Sequence, residues 1–231
     1  MRLIDTHSHL FLEEFSEDLP QVIERARAAG VTHIFMPNID STTIEAMLSA
    51  CSVYKGYCFP MIGLHPTSVN DNYEKELEIV ARELKFSKEY VAIGEIGMDL
   101  YWDKTYLKEQ QIVLDKQVNW ALEYDLPIVI HCRDAFDYIY KVLEPYKKTP
   151  LRGIFHSFTG TAEEAARVLE FSDFFIGING VVTFKKSHLP EILAGIPLEK
   201  IVLETDSPYL TPVPNRGKRN ESAYVKDTLM K

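Results

Sequence analysis

Leu3-Ile4-Asp5-Thr6-His7-Ser8-His9-Leu10 is the stretch on which the reading of this chain turns. Leu3 and Ile4 open a short buried strand, and the run ends in a His-x-His pair. Side chains on a strand alternate faces with period two. His7, His9 and Asp5 therefore share one side, and Thr6 and Ser8 take the other. Two imidazoles on one face either hold a divalent cation between them or simply end a strand in polar residues. The pair alone does not decide.

Outward from this strand, apolar β-type runs alternate with amphipathic helical stretches. Further strands are predicted at Val31–Met36, Phe59–Leu64, Val91–Glu95, Pro127–His131, Gly153–His156, Phe174–Asn179 and Ile201–Asp206. Between them, Ile44, Met47, Leu48 and Cys51 follow the i, i+3, i+4, i+7 spacing of a helix face. A long helix is expected from about Thr105 to Tyr124, and Thr42 with Glu45 and Thr161 with Glu164 read as capping boxes. Eight βα units without linker or repeat predict one α/β domain over residues 1–231, a TIM (β/α)8 barrel. A doubly wound open sheet is the alternative that the pattern leaves standing.

A chain of 231 residues, 46% of them hydrophobic, can bury a substantial core as one domain. A net charge of −9 argues against a protein that coats nucleic acid, though not against an enzyme with a local basic patch. Cys51, Cys58 and Cys132 are too few and too irregular for a disulfide framework or zinc ribbon. No leader or long apolar span is visible, so a soluble cytoplasmic protein without membrane contact or obligate protein partner is expected.

Barrel enzymes build their sites at the C-terminal ends of the strands. Here those ends carry His7 and His9, His65, Glu95, His131, His156 and Asp206. A buried strand end gains nothing from an unpaired titratable group, whose desolvation costs several kcal/mol. Together these residues are the N and O donor set of a one- or two-metal hydrolytic centre. Parity carries Asp5 and Glu204 inward beneath them, either as acceptors for ligand N–H groups or in a plain structural hydrogen-bond role.

Seven ordered motifs add a resemblance. Ile4-Asp5-Thr6-His7-Ser8-His9, Gly63-Leu64-His65-Pro66, Gly94-Glu95-Ile96-Gly97-Met98-Asp99, Ile130-His131-Cys132-Arg133-Asp134, Phe155-His156-Ser157-Phe158-Thr159-Gly160, Glu204-Thr205-Asp206-Ser207-Pro208-Tyr209-Leu210 and Asn215-Arg216-Gly217-Lys218-Arg219-Asn220 resemble the TatD family of metal-dependent deoxyribonucleases. The resemblance implies a TIM-barrel hydrolase of the amidohydrolase superfamily. It implies two divalent ions, Mg²⁺ or Mn²⁺ with Zn²⁺ also found, held by His7, His9, Glu95, His131, His156 and Asp206, with Glu95 bridging. DNA is the implied substrate, single strands or ends rather than duplex interior. The family's usual extent continues through a further helix, so the last helix is expected to be truncated at Lys231 and closure of the barrel is open.

Two ions of this kind activate water and neutralise phosphate charge, with Asp206 as proton acceptor and Glu95 as the second catalytic carboxylate. Arg133, Arg216, Lys218 and Arg219 are candidates to grip phosphates, the last three otherwise forming a solvated basic turn, and His65 is a candidate to touch substrate or support the metals, or else plainly to cap its turn. Tyr101, Trp102 and Tyr106 offer aromatic faces to an unpaired base or pack a loop. Cys132 is expected to be a core thiol, and His33 and His188 structural. Rival readings are a small-molecule amidohydrolase or phosphoesterase, an aminoacyl-tRNA deacylase, and a metal-binding scaffold without turnover.

Overall fold

The apolar runs resolve into eight parallel strands in a computed structural model that describes residues 1–231. Strands β1 (Leu3–Asp5), β2 (Val31–Pro37) and β3 (Cys58–Met61) form one sheet in that order. Strands β4 (Ile93–Asp99), β5 (Ile128–Arg133), β6 (Gly153–Phe155), β7 (Phe174–Ile178) and β8 (Ile201–Leu203) form the other, also in sequence order. Helices α1 (Leu19–Ala28), α2 (Ile44–Val53), α3 (Tyr73–Phe86), α4 (Leu107–Glu123), α5 (Phe136–Leu143), α6 (Ala162–Val168), α7 (Leu189–Leu193) and α8 (Val225–Leu229) alternate with the strands.

Two seams turn the sheets into a ring. Between β3 and β4, Ile62 bridges Ile93 and the Gly94 amide donates to the Ile62 carbonyl at 2.9 Å. Between β8 and β1, Ser8 bridges Ser207, the Thr6 amide donates to Leu203 (3.1 Å), and the Asp206 amide to His7 (2.9 Å). A doubly wound sheet would leave two free edges, so the fold is the barrel. Between the strands and the helices, branched side chains such as Ile34, Ile96, Ile130 and Ile176 pack with Val22, Met47, Val118 and Ile139, all fully buried.

Closure does not wait for a longer C-terminal helix. Val225 of α8 is fully buried, and the preceding segment is tied to α1 through Arg25 and Glu221 (2.6 Å) and Arg219 and Asp18 (2.8 Å). No helix is long and apolar enough to cross a membrane.

Three local expectations change. The Thr161–Glu164 capping box forms, but the Thr42–Glu45 box does not. Asp40 captures the Thr42 hydroxyl at 2.5 Å, and Thr43 stands at the N-cap instead. Strand β4 starts two residues late and runs on to Asp99, and β8 stops at Leu203.

Candidate metal centre

The His-x-His pair converges as its parity requires: His7 Nε2 and His9 Nε2 lie 3.2 Å apart. Both face Glu95 Oε2, at 3.1 and 3.5 Å, and Asp206 Oδ1, at 3.8 and 3.6 Å. The other oxygen of the same carboxylate, Glu95 Oε1, meets His131 Nδ1 at 2.9 Å, His156 Nε2 at 2.9 Å and His65 Nε2 at 3.1 Å. One glutamate thus separates two sets of imidazoles.

The backbone around these residues is held in sparsely populated conformations. Asp206 sits at φ 57° and Ser157, directly after His156, at φ 49°. Left-handed non-glycine residues cost of order 1 kcal/mol each and tend to gather at functional sites. Two glycines make room: a Cβ on Gly177 would lie 2.6 Å from Glu204 Oε2, and one on Gly97 would lie 2.0 Å from the His131 carbonyl oxygen.

Beneath the ring of donors, the two inward carboxylates part company. Glu204 Oε1 accepts from the Ser157 amide at 2.5 Å and lies 3.3 Å from His156 Nδ1, out of line for a hydrogen bond but close enough to favour a charged ring. Asp5 reaches no ligand ring. It takes the Thr205 amide (2.9 Å) and hydroxyl (2.6 Å) across the β1–β8 seam, the plain structural role. A carboxylate that the sequence reading had not assigned, Asp99 at the end of β4, is 3.0 Å from His131 Nε2 and fixes that ring from behind.

Electrostatics follow the geometry. Burial alone would raise Glu95, but His156, His65, His7 and His131 outweigh it and hold its carboxyl well below the ordinary range. Asp206 is lowered in the same way, against burial, by His9, His156 and His7. Burial lowers His7 and His65, which favours their neutral rings. His156 is raised well above the usual imidazole value against burial, by Glu95 and Glu204. His131 is raised through Asp99 and Glu95, again against burial. This is a donor set for cations. Ligand atoms of His7, His9 and Glu95 converge closely enough to be shared by one cation.

His65 also caps the 3-10 turn Pro66–Ser68, accepting the Thr67 amide on Nδ1 at 3.1 Å, so its Nε2 carries the proton donated to Glu95. Arg133 lines the cleft, with its guanidinium 3.8 Å over the Tyr101 ring and 5.3 Å from the Trp102 ring. Arg216, Lys218 and Arg219 do not line it. Arg216 stacks on Phe184 at 3.9 Å, and Arg219 pairs with Asp18 and covers Phe15. The Cys132 thiol is pushed up to about 12 by burial, as suits a core thiol rather than a nucleophile. His33 bonds its neighbour Thr32 (2.9 Å), away from the centre.

A barrel with histidines and carboxylates converging at the C-terminal ends of its strands defines a metal-dependent hydrolase. The chain matches the family described as TatD related DNase over residues 4–231. It is 40% identical to the uncharacterized metal-dependent hydrolase YabD of Bacillus subtilis, over 97% of this chain and 87% of that protein. It is 31% identical to the 3'-5' ssDNA/RNA exonuclease TatD of Pantoea ananatis, over 98% and 89% of the two chains. The crystal structure of YjjV, a TatD homolog from Escherichia coli, superposes with a TM-score of 0.92 at 30% identity, covering 99% of this chain and 88% of that one. The chain belongs to the TatD family of metal-dependent hydrolases.

Proposed function

We propose that this protein is a two-metal nuclease that hydrolyses phosphodiester bonds of single-stranded nucleic acid, DNA in the first instance. The observation that carries the reading is Glu95, whose Oε2 faces His7 and His9 while its Oε1 faces His131 and His156. That division suits two cations sharing one carboxylate. His7, His9, Glu95 and Asp206 would hold one, and Glu95, His131 and His156 the other. When bound, divalent ions such as Mg²⁺, Mn²⁺ or Zn²⁺ supply Lewis acidity, make water a stronger acid and neutralise phosphate charge.

The chain's own groups do the rest. Asp206, depressed and therefore ionised at neutral pH, takes a proton from the attacking water as its oxygen bonds to phosphorus. The same carboxyl returns that proton to the leaving sugar oxygen as the P–O bond breaks. Arg133 at the cleft wall offers forked donors to a flanking phosphate. Exposed Tyr101 and Trp102 beside it offer faces to an unpaired base. The exonuclease name of the Pantoea ananatis relative points the same way.

The test is hydrolysis of labelled single-stranded DNA, duplex DNA, RNA and a generic phosphodiester, with and without each ion, together with metal counting by mass spectrometry. Single strands should be cleaved only with metal, with two ions per chain, and Glu95→Ala should lose both. Equal DNA cleavage by Glu95→Ala would sink the proposal.

A further inference from the structure

A second cavity, of about 850 Å³, opens beside the metal cleft and shares the walls made by Cys132, His156, Thr159 and Val181. The cleft itself measures about 650 Å³, so the side cavity is the larger space. Phosphodiester hydrolysis as described above makes no use of it.

Its lining says what it can hold. Phe155 and Phe158 give it a buried aromatic floor, and Leu189 closes it from α7. Its lining also carries the carboxylates Asp134, Asp137 and Glu164 and the basic side chains Lys186 and His188. Arg167 neutralises Asp137 at 2.6 Å, and Glu164 accepts the Thr161 amide at 2.7 Å, which leaves Asp134 exposed and uncommitted. An aromatic floor whose carboxylates outnumber its one lysine does not favour a second phosphate. It suits a flat, uncharged ring whose edge carries N–H donors.

We infer that this cavity receives the nucleobase of the nucleotide whose phosphodiester lies in the metal cleft, turned out of its strand. The inference rests on the nuclease reading and deepens it. His156 stands between the two spaces, so a phosphate on one side of it leaves the attached base on the other. A base paired and stacked in a duplex must first be extracted, so single strands and frayed ends are the substrates this geometry selects.

Ala162, exposed in the cavity lining and not itself a proposed ligand, provides the variant: Ala162→Trp fills the mouth, and Ala162→Ser is its small control. Calorimetric titration of metal-free protein should show deoxynucleoside 5′-monophosphate binding about tenfold tighter than deoxyribose 5-phosphate, a difference lost in Ala162→Trp. With metal, moving one abasic residue along a short oligonucleotide should raise KM about tenfold or more at a single position beside the cleaved bond. Ala162→Trp should raise KM equally on the intact oligonucleotide, leaving hydrolysis of methyl p-nitrophenyl phosphate unchanged. If oligonucleotides are cleaved but no abasic position matters, the inference is overturned and the nuclease reading stands. If only the baseless ester is cleaved, both fall. Should Ala162→Trp damage ester hydrolysis as well, the abasic series on the unmodified protein decides.

Discussion

Asp99 Oδ2 lies 3.0 Å from His131 Nε2, on the side of the ring opposite Glu95, whose Oε1 is 2.9 Å from His131 Nδ1. An imidazole held between two carboxylates has one orientation and a basic ring, which is how outer carboxylates tune metal ligands. Asp99→Asn should fold normally and bind Mn²⁺ about 10–100-fold more weakly, as read by calorimetric titration. Unaltered affinity would reject this positioning role.

The metal-free protein should have a stability that depends on pH in a particular direction. His156 and His131 have raised folded pKa values, so their contribution is complete below the unfolded imidazole value of about 6.5 and is lost as pH climbs through the folded one. Burial pushes the Asp5 carboxyl up to about 7, so stability also falls as pH rises through that value. Glu95 works oppositely, adding stability above the unfolded value of 4.5 that is lost as pH falls. Because the lowered His7 and His65 lose stability as pH falls below about 6.5, the melting temperature without metal should fall on the acid side and also drop by at least about 5 °C from about pH 6.5 toward pH 9. Saturating metal should flatten that slope. A flat profile without metal contradicts the assigned shifts.

Across the β1–β8 seam, the Thr205 hydroxyl donates to Asp5 Oδ2 at 2.6 Å and lies 2.8 Å from Ser207 Oγ, while Ser207 Oγ is 2.8 Å from Ser8 Oγ. All four residues are buried. Thr205→Val keeps the shape and strips the Asp5 carboxylate of one donor, so it should destabilise by about 1–3 kcal/mol. Urea denaturation measures this, and a change under about 0.5 kcal/mol would show that the network contributes little.

Arg133 and Trp102 line the cleft, with the Arg133 guanidinium over the Tyr101 ring and the Tyr101 and Trp102 rings meeting edge to face. On the nuclease reading, Trp102→Ala should raise KM for single-stranded oligonucleotides about tenfold or more with little change in kcat. Steady-state kinetics decide, and a fall confined to kcat would place Trp102 in the chemistry instead of in binding.

The barrel was legible because buried strands and amphipathic helices leave different periods in the sequence. His7, His9, Glu95, His131, His156 and Asp206 were legible because polar residues stand where apolar runs stop. Asp99 escaped because the reading ended β4 at its first charged residue. The strand in fact continues through Gly97, at φ 136°, to a second carboxylate of the same parity. Arg216, Lys218 and Arg219 read as one basic turn, yet Arg219 takes its partner Asp18 from a segment about two hundred residues earlier, a choice no local pattern encodes. The different fates of Asp5 and Glu204 likewise depend on what lies across a seam.

His7 and His9 follow β1 in the three-stranded sheet, whereas Glu95, His131, His156 and Asp206 lie on or directly after strands of the five-stranded one. The sheets meet at each join through one isolated bridge and a few backbone hydrogen bonds. Cations gripped from both sides would rivet the two parts of the wall together at the C-terminal ends of the strands. Loading the site would then stiffen the mouth of the barrel in the same act that arms it, and neither the first third of the chain nor the remainder could carry the chemistry alone.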